Sequence, residues 1–149
     1  MAEYYYEDLE VGDRFEFGSC TMTTDAIKEF ADRYDPQYFH LDEAAAEDSV
    51  FGGLCASGWH TVSEVNRLLV DDVFGNMANE GGRGIDELRW HRPVRPGDRL
   101  SGWVEVAEKE PHHRDETRGN VDMSVTVVDQ EERRVLTFVS LNMVRFRDE

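Results

Sequence analysis

Residues 57–75 read Ser57-Gly58-Trp59-His60-Thr61-Val62-Ser63-Glu64-Val65-Asn66-Arg67-Leu68-Leu69-Val70-Asp71-Asp72-Val73-Phe74-Gly75, and this stretch decides the fold. Val62, Val65, Leu68, Leu69 and Val73 recur at helical period, which predicts one long helix with an apolar face, ending near Gly75. Downstream the period changes. Residues 85–91, 99–108, 120–128 and 135–147 each carry the signature of a strand. Gly81-Gly82-Arg83-Gly84 reads as a turn ahead of the first, and Pro96-Gly97-Asp98 as a turn before the second. Residues 111–118 read as a polar connection and 129–133 as a hairpin loop. Upstream, residues 14–22 predict one more strand. A buried helix with one strand before it and four after it implies an α+β fold, an antiparallel sheet wrapped around a long central helix.

Between the first strand and the central helix lies the segment that carries chemistry. Thr23 or Thr24 caps a helix whose stripe is Ile27, Phe30, Ala31 and Tyr34, and Asp42 caps a short helix over 43–47. Between the two stands Tyr34-Asp35-Pro36-Gln37-Tyr38-Phe39-His40. Proline disfavours helical geometry in the residue before it, so Asp35 should sit where the helix stops. Fully extended, five residues would hold Asp35 and His40 roughly 17 Å apart. The loop must therefore fold back if the carboxylate and imidazole are to share proton transfer on one substrate. Phe51-Gly52-Gly53 reads as a flexible approach to the central helix.

Composition narrows the function classes. The 149 residues are expected to form one domain, 1–149, with a single core. No run of eighteen apolar residues predicts a membrane span. Residues 1–10 are acidic and aromatic, unlike a secretory leader. Cys20 and Cys55 form no disulfide framework and no C-x-x-C pair, and Cys55 reads as buried filler. A reducing cytoplasm is the expected compartment. The net charge is -16, from 32 acids against 16 basic residues, and that surface repels nucleic acid. Lys28 and Lys109 are the only lysines. A dispersed acidic, lysine-poor surface suggests adaptation to high salt, where screening relieves self-repulsion.

Three motifs in order, D-x4-H at 35–40, the glycine-rich approach to the helix at 51–61, and Arg92-Pro93-Val94-Arg95-Pro96-Gly97-Asp98, resemble the MaoC-like dehydratases. These form the (R)-specific enoyl-CoA hydratase branch of the hot-dog fold, and the resemblance runs from about residue 7 to the C-terminus. It implies that Asp35 and His40 hold and activate a water that adds to a trans-2-enoyl-CoA, giving a (3R)-3-hydroxyacyl-CoA. It implies no metal and no redox cofactor, with the coenzyme A thioester as substrate. It also implies a homodimer or higher homo-oligomer, because open sheet edges pair across a symmetry axis. Gly58, at the start of the helix, corresponds to the backbone donor for the thioester oxyanion, where the helix dipole has the right sign. A glycine there equally permits tight packing of the helix start.

The chain departs from the family pattern. Many relatives read G-D-x-N-P-x-H; here Pro36 follows the acid directly and Gln37 replaces the asparagine. Ser57 stands where a histidine often precedes the glycine, and Asn66 where some hydratases carry a serine near the aspartate. Both are expected at the substrate site, with Asn66 able to hydrogen-bond a carboxylate. His60 is expected to pack or to wall the pocket, and His91, His112 and His113 to lie at the surface or at partner contacts. No His or Cys pair has metal-ligand spacing. Arg83, Arg89, Arg92 and Arg95 have the guanidinium geometry for coenzyme A phosphates, or pair with the many neighbouring acids. Two other readings remain: an acyl-CoA thioesterase, for which Glu64 is the one acid inside the helix before its last turn, and a non-catalytic acyl-CoA-binding or regulatory dimer.

Overall fold

The computed structural model describes residues 2–112 and 114–148, so His113 lies outside the described residues. Strand β1 (Arg14–Thr21) leads into helix α1 (Thr24–Tyr34), one-turn helices α2 (Tyr38–Leu41) and α3 (Glu43–Ala46), and the long helix α4 (Gly58–Asp72). Strands β2 (Asn79–Trp90), β3 (Arg99–Pro111), β4 (Arg118–Val128) and β5 (Arg134–Arg145) follow. They form one five-stranded sheet in the order β1-β3-β4-β5-β2, and every neighbouring pair is antiparallel. This is the α+β arrangement that the sequence pattern implies, in the hot-dog form that the family resemblance implies. β1 and β2 are its edges.

Strands β3 and β4 show the alternation expected of a sheet with one face on the core: Leu100, Val104 and Val106 are buried, as are Val121, Met123, Val125 and Val127. Helix α4 meets them with Val65, Leu69 and the capping Val73. Thr23 caps α1 by accepting from the Ala26 amide at 3.2 Å, and Asp42 caps α3 by accepting from the Ala45 amide at 3.0 Å. α1 buries Ile27 and Ala31, but Tyr34, at the end of the expected stripe, is 63 % exposed.

Two expectations are corrected. Gly81-Gly82-Arg83-Gly84 is no turn; it lies inside β2. Gly81 (φ 118°) and Gly84 (φ 159°) sit where the register against β5 shifts, so the glycines mark bulges within the strand rather than its boundary. Phe51-Gly52-Gly53 is held rather than left free. The Arg95 guanidinium donates to the carbonyls of Phe51 and of Gly53, the latter at 2.8 Å. Arg95 is anchored in turn, because Asp98 is buried and accepts from the Arg95 amide at 2.8 Å and from Gln130 at 3.0 Å.

Candidate active site

The chain reverses directly after α1. Asp35 is the C-cap of α1, with φ -151° and ψ 65°, outside the helical region that the following Pro36 disfavours. The Gln37 amide bonds back to the Asp35 carbonyl at 2.7 Å, and Gln37 then caps the one-turn helix α2, whose third residue is His40. That turn was not anticipated from the sequence, where four residues are too few for a periodic signal. It brings the two groups together: His40 Nε2 lies 3.5 Å from Asp35 Oδ2.

The protonation pattern follows from the partners. His40 Nδ1 lies 2.6 Å from the carbonyl oxygen of Cys55. A carbonyl only accepts, so Nδ1 carries the proton, and in the neutral ring the lone pair is on Nε2, facing Asp35. The Asp35 carboxylate accepts from Ser57 Oγ at 2.7 Å on one oxygen and from Gln37 Nε2 at 2.6 Å on the other. Burial pushes its pKa up, but the hydrogen bonds from Ser57 and Gln37 and the nearby His40 outweigh burial and hold the carboxyl below the usual range. Asp35 is therefore an anion at neutral pH. Burial raises the pKa of the Cys55 thiol, which keeps it protonated and fits its reading as filler.

Asp35, His40 and Gly58 line one cleft of about 570 Å³. Its walls are largely apolar, with Phe51, Trp59, Trp90 and Val94, and Thr61, His91 and Arg92 add polar groups. Gly58 is the first residue of α4, and its N–H has no acceptor within the helix, whereas the His60 and Thr61 amides already donate to the Ser57 carbonyl at 3.0 and 3.1 Å. The two sequence alternatives for Gly58 coexist. It faces the cleft, and it also admits the Trp90 indole, which would lie 2.4 Å from a Cβ at this position. Trp90 Nε1 donates to the Gly58 carbonyl at 3.1 Å.

Two site expectations change. Ser57 is sealed from solvent and reaches Asp35 instead of a substrate. Asn66 is exposed and lies outside the cleft. Eight helical residues carry it about 12 Å along the axis from Gly58 and roughly 80° around it. The carboxylate contact expected of Asn66 is made by Ser57 and Gln37. His60 is buried, stacks on Phe30 with ring centroids 4.8 Å apart, and lies 3.5 Å from Glu64. Neither His60 nor Glu64 lines the cleft. Arg83 pairs with Asp122 at 2.5 Å and Arg95 holds the loop, which leaves Arg92 as the arginine of that group at the cleft. His91 borders the cleft and contacts Thr137 Oγ1 at 2.7 Å.

An acid and an imidazole converging beside a helix N-terminus, within an antiparallel sheet folded on that helix, define a hot-dog protein with the geometry of an acid–base site. The MaoC like domain model matches residues 8–146, and the chain belongs to that family. It is similar to a MaoC-like dehydratase from Rhodospirillum rubrum, with 39 % identity and a TM-score of 0.91 over 97 % of this chain and 99 % of that one. It is also similar to a monoamine oxidase regulatory protein from Archaeoglobus (27 %, TM-score 0.89, 99 % and 98 % covered). An (R)-hydratase, PhaJ1 from Pseudomonas aeruginosa, shares 27 % identity at a TM-score of 0.76, with 96 % and 86 % covered. Among the described residues, no helix is long and apolar enough to cross a membrane.

Proposed function

We propose that this chain catalyses the reversible hydration of a trans-2-enoyl-CoA to a (3R)-3-hydroxyacyl-CoA. The observation that carries the reading is the Asp35–His40 pair, 3.5 Å apart in the cleft, with the imidazole orientation set by the Cys55 carbonyl. A water between the Asp35 anion and His40 Nε2 loses a proton as its oxygen bonds to C3. The electrons of the double bond move toward the thioester, whose oxygen becomes negative and is met by the Gly58 N–H. The proton then passes to C2, so the water is added in full. Each acid–base contribution is worth roughly 100-fold to 10,000-fold in rate. The chemistry is addition and proton transfer alone and calls on no metal or redox group.

The similarity to an (R)-hydratase supports the reaction class, and the position of Glu64 away from the cleft weighs against a thioesterase built on a helix acid. Two copies pair through β2, an open edge on which Ile85 is 48 % and Trp90 45 % exposed. The test is to add crotonyl-CoA and follow the absorbance of the conjugated thioester together with free thiol. Loss of absorbance without thiol release supports hydration. Thiol release indicates a thioesterase, and binding with no change in either signal indicates a non-catalytic protein.

A further inference from the structure

Thr61 stands on the buried stripe of α4, one turn after Gly58 and one turn before Val65, where the pattern asks for an apolar side chain. The residue is 1 % exposed, yet it lines the cleft with Asp35, His40 and Gly58. Its hydroxyl has no hydrogen-bond partner among the described residues. The sealed and unpartnered polar side-chain atoms among them are His60 Nδ1, Arg118 Nε and Asn120 Oδ1, so the Thr61 oxygen is not sealed and opens on the cleft. A hydroxyl kept in such a place without a partner calls for an explanation.

We propose that the Thr61 hydroxyl donates a hydrogen bond to the water that adds to C3, and, in the reverse direction, to the C3 hydroxyl that leaves. This inference rests on the hydratase reading. The argument is one of donors and acceptors. The Asp35 carboxylate and His40 Nε2 are both acceptors, so a water between them uses both of its hydrogens. One of its lone pairs must face C3, and the other is open to a donor. The donors around the pair are already engaged: Ser57 and Gln37 on Asp35, His40 Nδ1–H on the Cys55 carbonyl, the Cys55 thiol on the Phe39 carbonyl, and the Trp90 N–H on the Gly58 carbonyl. The Gly58 N–H belongs to the thioester oxygen in this reading. Arg92 is exposed at the rim. Thr61 is the buried donor that remains. A donor to the water orients the reactive lone pair along the path to C3 and contributes to turnover more than to binding of the thioester.

The test compares Thr61→Val, which keeps the branched shape and removes the hydroxyl, with Thr61→Ser, which keeps the hydroxyl. Crotonyl-CoA is the probe. The expected result is a kcat about tenfold lower for Thr61→Val, the effect of one uncharged hydrogen bond, with KM within about twofold of wild type. Thr61→Ser should recover most of kcat. The unfolding midpoint of Thr61→Val should equal or exceed that of wild type, because no hydrogen bond within the protein is lost. Hydration by the wild-type chain with an unchanged kcat in Thr61→Val overturns the role of Thr61 alone. So does a Thr61→Ser variant as slow as Thr61→Val. A wild-type chain that does not hydrate crotonyl-CoA or longer 2-enoyl-CoA homologues removes the hydratase reading and this inference with it.

Discussion

In the proposed hydration, Ser57 and Gln37 would act only through the Asp35 carboxylate, and that makes their effect visible as a pH. With its pKa held down, Asp35 stays ionised to lower pH than an ordinary carboxylate. Ser57→Ala removes one of the two hydrogen bonds and leaves burial in place. The acidic limb of the kcat–pH profile should therefore move to higher pH, a shift a purely structural serine would not produce. The stability sign is the usual one for a depressed acid: the contribution is present above the unfolded-state pKa and is lost as pH falls through the folded one. Asp35→Asn and His40→Ala are each expected to lower hydration by about 100-fold to 10,000-fold, measured with crotonyl-CoA, while the far-UV circular dichroism is unchanged. The proline after the acid makes the end of the helix legible in D-x4-H, but the convergence of these two residues is legible only through the family resemblance. The contacts of Ser57 and Gln37 are not legible there, because they depend on which oxygen of Asp35 each group reaches. Thr61 carries a fainter trace, a hydroxyl on an apolar stripe.

Along α4 the informative contact is between its first residue and the end of β2. The Trp90 indole fills the space that a side chain at position 58 would need. Gly58→Ala should therefore cost about 1–3 kcal/mol in denaturant unfolding, the usual penalty of overpacking. If the indole is the cause, the same substitution in a Trp90→Ala background should cost less, and the double-mutant cycle should return the difference as a coupling energy. An unchanged cost would place the strain elsewhere. The elements themselves are largely readable. Helical period announces α4, and alternation announces β3, β4 and β5. The start of β2 is not readable, since its glycines serve bulges and glycine is equally the residue of turns. The hold on residues 51–53 is hidden for another reason: it comes from Arg95, more than forty residues downstream.

For the whole molecule, the governing quantity is a charge of -16 on 149 residues. Like charges spread over one surface destabilise the compact state. The screening length falls from about 10 Å at 0.1 M salt to about 3 Å at 1 M. The unfolding midpoint should rise between these concentrations of KCl; a relief of about 1 kcal/mol would appear as roughly 4 °C for a chain of this size. A midpoint that falls in molar salt would remove the idea of salt adaptation. Sedimentation at 1 M KCl should give twice the monomer mass if β2 pairs with its symmetry mate, and a charge on the edge, Ile85→Lys, should shift the distribution toward monomer.

The imidazole of His40 takes its orientation from a main-chain oxygen at position 55 rather than from a side chain. Mutational scanning would therefore find position 55 quiet toward small replacements such as Cys55→Ser or Cys55→Ala. A thiol directly behind the His40 ring would look dispensable, and the ring's dependence on that peptide group would go unseen. The part of the site most resistant to sequence drift is thus the part that no single codon encodes.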